Sequence, residues 1–155
     1  MMSKIAVVYW SGTGNTEAMA NEVAEGAKSA GAEAEVFTPD TFSADKMDAY
    51  DAVAFGCPAM GAEELEDTEF EPMFKDCEAK LSGKKIALFG SYGWGDGEWM
   101  RTWEETCKSA GAELAHESVI CTEEPDDDAK ASCRELGKSL VESVRFAQYC
   151  NGEPY

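Results

Sequence analysis

Ser11, Gly12, Thr13, Gly14, Asn15 and Thr16 set four side-chain donors and two glycines in six consecutive positions, after the apolar run Ile5 to Tyr9 and before a stretch of helical periodicity. Such a turn suits a phosphate. The glycines let backbone N–H groups converge on one point, the helix beyond adds its unpaired N-terminal donors, and the hydroxyls and amide add more. No lysine or arginine contributes. A nucleotide-hydrolysing loop needs G-x-x-x-x-G-K-[ST], whereas Gly12 is followed by Thr-Gly-Asn-Thr-Glu; the dinucleotide pattern G-x-G-x-x-G fails because Glu17 stands at its third glycine. What remains is a single terminal phosphate. Taken alone, the same turn also reads as an ordinary strand-to-helix connection.

Two further stretches tip that balance. One is Gly56-Cys57-Pro58-Ala59-Met60-Gly61-Ala62-Glu63-Glu64-Leu65; the other is Gly90-Ser91-Tyr92-Gly93-Trp94-Gly95-Asp96-Gly97-Glu98-Trp99. Each follows an apolar strand-like run and is long for a loop in a small α/β unit, a length that goes with function. For Met60 or Trp94 singly, burial beneath a loop is the simpler reading. Together they offer a thioether and an indole to the two faces of a planar ring, and the glycines let N–H groups approach its polar edge. A planar heterocycle joined to one phosphate describes flavin mononucleotide (FMN).

The elements that must position these loops are legible from hydrophobic period. Ile5 to Tyr9, Ala34 to Phe37, Ala52 to Gly56, Ile86 to Phe89 and a less apolar Leu114 to Cys121 read as five strands. Between them, helical stripes run through Met19, Ala20, Val23, Ala24 and Ala27, then Phe70, Met73, Phe74, Cys77 and Leu81, then Met100, Trp103 and Cys107, with a short helix near Asp45 to Asp48. Pro125 introduces a last helix that bears Cys133, Leu136, Leu140 and Val144 and is expected to reach Gln148. The residues from 146 to 155 are expected to fray. Alternation of this kind predicts a three-layer α/β/α doubly wound domain spanning 1–155, with a five-stranded parallel sheet in the order 2-1-3-4-5 and the loops gathered at the strands' carboxyl ends.

Charge narrows the partners. A formal net charge of -18 repels nucleic acid and anionic membrane and fits basic docking surfaces on other proteins; the same excess of carboxylate also serves solubility. With no signal-peptide pattern after Met1 and no apolar run of membrane length, a cytoplasmic monomer is expected. The six cysteines are dispersed without a C-x-x-C and His116 is the sole histidine, so neither a metal site nor a disulfide framework is expected. A phosphatase of the C-x5-R type fails because Glu63 lies where the arginine belongs after Cys57. A phosphorylated receiver fails because Trp10-Ser11-Gly12 replaces its paired acids.

The segments Tyr9 to Glu17, Ala59-Met60-Gly61 and Gly90 to Gly97 closely resemble the short-chain flavodoxins of anaerobic bacteria, and the resemblance covers nearly the whole chain. It implies noncovalently bound FMN and low-potential one-electron transfer between redox proteins through quinone, semiquinone and hydroquinone states. Under it Ser11, Gly12, Thr13, Gly14, Asn15 and Thr16 hold the phosphate, and Met60 and Trp94 flank the ring. Gly61 turns its peptide over on reduction, Glu63 accepts from flavin N3–H, and the Gly93 N–H approaches the N1/O2 edge. Pro58, Ala59, Ala62, Ser91, Tyr92 and Gly95 complete the expected binding loops. Glu63, Glu64, Glu66, Asp67, Glu69 and Glu71 form an acidic rim from which Glu66 and Asp67 are expected to point outward. Pro58 stands where some relatives carry a serine, and Thr122-Glu123 where many carry an amide. The competing reading is an FMN-dependent NAD(P)H quinone or nitro reductase on the same fold.

Overall fold

The first apolar run forms β1 (Lys4–Tyr9), and its side chains divide between two cores: Ile5, Val7 and Tyr9 pack on one face of the sheet, Ala6 and Val8 on the other. A strand covered on both sides needs no polar alternation, which is why its sequence is continuously apolar. The computed structural model describes residues 3–60, 64–93 and 95–150, with 147–150 described by backbone alone. Helices α1 (Asn15–Ser29) and α5 (Asp127–Cys150) cover the Ile5 face through Met19, Val23, Leu136 and Leu140. The other face is covered by α2 (Ala44–Met47), α3 (Phe70–Glu78) and α4 (Glu98–Ser109), whose Phe74 and Trp103 meet edge to face at 5.6 Å.

Strands β2 (Glu33–Phe37), β1, β3 (Ala52–Gly56), β4 (Lys85–Tyr92) and β5 (Glu113–Leu114) pair in parallel in that spatial order, 2-1-3-4-5 as the alternation predicts. Chain connections leave β1 and β3 toward opposite faces, so the ends of these two strands flank the switch point.

Three details depart from expectation. The fifth strand is broken: β5 pairs with Lys85 and Ile86, and a further strand, β6 (Val119–Thr122), pairs with Phe89 to Tyr92, which makes six strands among the described residues. Ala87 and Leu88 of β4 therefore face the longer run Ala115-His116-Glu117-Ser118, whose surplus residues leave the ladder and whose Ser118 hydroxyl donates to Glu104 instead. Second, β4 extends to Tyr92, so Ser91 and Tyr92 belong to a strand end held by β6 and not to a free loop. Third, α5 continues through Cys150, past Gln148 and into the residues expected to fray; neither glycine nor proline stands between Gly137 and Gly152 to stop it earlier.

The described thiols are structural. Cys57, Cys77, Cys107 and Cys133 are buried and Cys121 is half-buried. Burial pushes Cys57, Cys77, Cys107 and Cys133 up to about 12, which keeps them protonated and unreactive.

Candidate functional site

The phosphate turn is built where β1 gives way to α1. Gly14 is the helix N-cap with φ +95°, a left-handed conformation that glycine adopts without the steric cost of a Cβ. The first helical bond runs from Ala18 N–H to Gly14 O at 3.0 Å, so the N–H groups of Asn15, Thr16 and Glu17 precede the helical ladder and face outward from its end. Ser11 Oγ accepts from Gly14 N–H at 3.0 Å and closes the turn. Thr13 is exposed, whereas Thr16 is buried and its Oγ1 accepts from Ser91 N–H at 3.4 Å. A hydroxyl that accepts one bond still has its own proton to give.

The second wall comes from the chain after β3. Cys57 N–H donates to Phe89 O at 3.1 Å, Ala59 N–H to Ser91 O at 3.1 Å, and Met60 N–H to Glu64 O at 2.9 Å. Trp99 Nε1 donates to Cys57 O at 3.1 Å from beneath. The bonds from Cys57 and Ala59 hold the segment on β4 so closely that a Cβ on Gly90 would stand 2.2 Å from Cys57 O. Pro58, Ala59 and Met60 are left half-buried along the cleft.

The third wall is the end of β4 with the loop after β6. Ser91 Oγ donates to Glu123 O at 2.9 Å, and Glu123 N–H donates to Tyr92 O at 2.8 Å. Glu123 reaches this position with φ +58°, the one left-handed non-glycine residue among those described. Glu123 and Glu124 thereby line the same cleft as Gly12, Thr13, Asn15, Met60, Tyr92 and Gly93, a cleft of about 550 Å³. That volume is in the range of small-molecule sites. The sequence expectation left both glutamates out of the binding set, although their position just past a strand's carboxyl end is the signal that places ligand contacts in such sheets.

Of the expected residues, the structure thus brings Gly12, Thr13, Asn15, Pro58, Ala59, Met60, Ser91, Tyr92 and Gly93 together. Ser11 and Gly14 line an adjoining polar cleft that shares Gly12 and Thr13 with the first. Thr16 sits behind the turn, and Gly95, exposed with φ +88°, is not part of the cleft wall. Gly61, Ala62, Glu63 and Trp94 lie outside the described residues.

One member of the acidic rim has a different job from the one expected. Glu66 is 5% exposed, and its carboxylate accepts from the N–H groups of Thr68 at 3.0 Å, Glu69 at 2.7 Å and Phe70 at 2.8 Å, and from the Thr68 hydroxyl. It caps α3 instead of pointing outward. Burial alone raises a carboxyl's affinity for its proton, but the hydrogen bonds from Thr68, Phe70 and Glu69 together outweigh it and hold Glu66 below the usual carboxylate range. Tyr9 is affected the other way: burial, then its hydrogen bond to Glu17 Oε2 at 2.8 Å, pushes the phenol up to about 12.

The cleft is open to solvent, and among the described residues no group of His, Cys, Asp or Glu is placed to hold a metal ion and no helix is long and apolar enough to cross a membrane. Neutral donors at a helix N-terminus, at the switch point of a 2-1-3-4-5 sheet and continuous with a Met- and Tyr-lined slot, define a binding protein for a planar ring bearing one phosphate. Residues 7–137 match the flavodoxin family. The chain is 46% identical over 139 residues to a flavodoxin of Megasphaera elsdenii, spanning 90% of this chain and 99% of that one. It is 45% identical over 135 residues to a flavodoxin of Clostridium beijerinckii, spanning 87% and 97%. The solution structure of two-electron reduced Megasphaera elsdenii flavodoxin superposes with a TM-score of 0.82, covering 89% of this chain and 98% of that chain at 47% identity. The chain belongs to the flavodoxin family, whose members are FMN-binding electron carriers, and the reductase alternative is not favoured.

Proposed function

We propose that this protein carries single electrons at low potential between redox proteins, with FMN held by Ser11 to Thr16 at its phosphate and by Pro58 to Glu63 and Ser91 to Trp94 at its ring. The observation that carries this reading is the continuity of one cleft from the cation-free N-terminus of α1 to Met60 on one side and Tyr92 and Gly93 on the other. Bound FMN supplies the redox chemistry, taking up and giving back electrons one at a time. The chain holds the phosphate with neutral donors, positions the ring between two loops pinned to β4, and sets the electrostatics around it. Glu123 and Glu124 are exposed along the cleft, and Glu64 is exposed where its carbonyl holds Met60 N–H. At about 8 to 15 Å and an effective dielectric of about 40 to 80, a carboxylate opposes an added negative charge by about 0.3 to 1 kcal/mol before salt screening.

Titration of the apoprotein with FMN and with riboflavin, followed by visible absorption and tryptophan fluorescence, tests the reading. FMN is expected to bind far more tightly. A hydrogen bond from an exposed hydroxyl to a phosphate dianion is worth about 1.5 kcal/mol or somewhat more. Thr13→Ala should therefore weaken FMN about tenfold and leave riboflavin unchanged. Equal loss for both ligands removes Thr13 from the phosphate, and a parent protein that takes up neither ligand overturns the function.

The partner surface follows from charge. With a net charge of -18, encounter with a basic redox partner in the cytoplasm is steered over distances that salt screens beyond about 8 Å. Bimolecular electron transfer from the reduced protein to such a partner is expected to slow several-fold between about 20 mM and 500 mM salt; a flat or rising rate returns the carboxylates to a solubility role.

A further inference from the structure

Trp10 stands between β1 and the phosphate turn. Its backbone N–H is fixed by Gly56 O at 3.0 Å, and its ring lies against Gly12, where an added Cβ would be 3.0 Å from Cη2 and 3.3 Å from Cζ3. The indole N–H donates to Glu69 Oε2 at 3.0 Å. Glu69 is the N-cap residue of α3, and its own N–H is held at 2.7 Å by the buried carboxylate of Glu66. A connected path thus runs from the cap of α3 through Glu69 to the indole and on to Gly12.

The turn needs such a support. Gly12 and Thr13 are exposed, and the side-chain bond described inside the turn is the one from Gly14 N–H to Ser11 Oγ. Without a lysine or arginine to draw the phosphate in, affinity depends on neutral donors that already converge, and any freedom of the turn is lost as entropy on binding. We propose that Trp10 is a positioning residue for the phosphate turn, held in place by its hydrogen bond to Glu69, and that this pair contributes to the preference for a phosphorylated flavin over the bare riboflavin. The inference rests on the FMN reading above.

Glu69 also places a carboxylate in the polar cleft that adjoins the phosphate turn, so removing it relieves repulsion as well as the hydrogen bond. Comparison of Glu69→Gln with Glu69→Ala separates the two effects, since both are uncharged and only glutamine still accepts. A hydrogen bond of this exposure is worth about 0.5 to 1.5 kcal/mol. FMN is therefore expected to bind about three- to tenfold more tightly to Glu69→Gln than to Glu69→Ala, with riboflavin affinities within about twofold of each other. In a Trp10→Phe background, which keeps an aromatic ring but no N–H donor, that advantage of glutamine should vanish. Trp10→Phe alone should weaken FMN about three- to tenfold and riboflavin by less than about twofold.

Fluorescence titrations of the parent, the three single variants and the two doubles decide the matter. Thermal melts of each apoprotein accompany them and are expected to agree closely. Glutamine and alanine binding FMN equally well, the glutamine advantage persisting without the indole N–H, or parallel losses for FMN and riboflavin would each overturn the role of the pair. If the parent binds FMN tightly and the variants do not differ, the function stands and only this inference falls. If the parent binds neither flavin, the function fails first.

Discussion

Replacing Glu66 by alanine is expected to cost about 3 kcal/mol of folding stability, a drop of about 6 to 12 °C in melting temperature for a domain of this size. The carboxylate takes three backbone N–H groups and one hydroxyl at the start of α3 while itself almost fully buried. Each hydrogen bond to a charged acceptor contributes about 1.5 to 3 kcal/mol, and a buried donor such as Phe70 N–H left unpaired costs about 1 to 3 kcal/mol. Against this, alanine recovers the desolvation cost of a buried charge, which holds the net well below the simple sum. Alanine also releases Glu69, so a weaker grip on FMN through the phosphate turn accompanies the lost stability.

The sign of the pH dependence follows from the direction of the shift. Glu66 is held below its ordinary value of 4.5 in the folded protein, so its stabilisation is fully present above that value and is lost as pH falls through the lower folded one. Urea unfolding of the parent between pH 7 and pH 3, at a fixed FMN concentration, should show stability falling in that acid window. Glu66→Gln, which cannot ionise, should start less stable at pH 7 and fall less steeply below about pH 4.5. Parallel curves for parent and glutamine variant would mean that the cap does not depend on charge.

Why Glu66 was not legible in the sequence is instructive. It sits in a run of six acids, Glu63, Glu64, Glu66, Asp67, Glu69 and Glu71, and composition sees them as one rim. Turn geometry separates them: Glu66 folds back over the first turn of α3, Glu69 is captured by Trp10, and Glu71 pairs with Lys75 at 3.6 Å. The β1 strand, the glycine turn and α1 were legible because their signals are local, namely an unbroken apolar run, two glycines and a period of 3.6. The broken fifth strand was not, since its two halves are defined by which residues of β4 they reach. Glu123 escaped for the same reason, its place in the cleft being set by bonds to Ser91 and Tyr92 some thirty residues away.

A test of how the cofactor end of the sheet is braced lies on its other side, where α1 and α5 meet through two glycines. A Cβ on Gly26 would stand 2.0 Å from Arg134 O, and one on Gly137 would stand 2.1 Å from Val23 O and 2.9 Å from Ala27 N. Those neighbours are backbone atoms, so no rotamer change relieves the contact and the helices must part. Val23, Ala27, Cys133 and Leu136, fully buried in the same core, would lose packing along with them. Overpacking of this kind costs about 1 to 3 kcal/mol and occasionally more, whereas alanine in a helix returns about 1 kcal/mol relative to glycine. With contacts this short the upper part of the range applies, and a net loss of about 2 kcal/mol is expected for Gly26→Ala and again for Gly137→Ala. The double variant should lose less than the sum, because one separation of the helices accommodates both methyl groups. Since α1 presents Asn15 and Thr16 at its other end and Thr16 is bonded to Ser91, FMN affinity should fall with stability. The opposing view is that both glycines are merely tolerated, in which case each alanine would stabilise the protein by up to about 1 kcal/mol through helix propensity. The two views differ in sign, so urea unfolding of the single variants is decisive: an increase in midpoint with either alanine would show that the helices do not rely on this close approach.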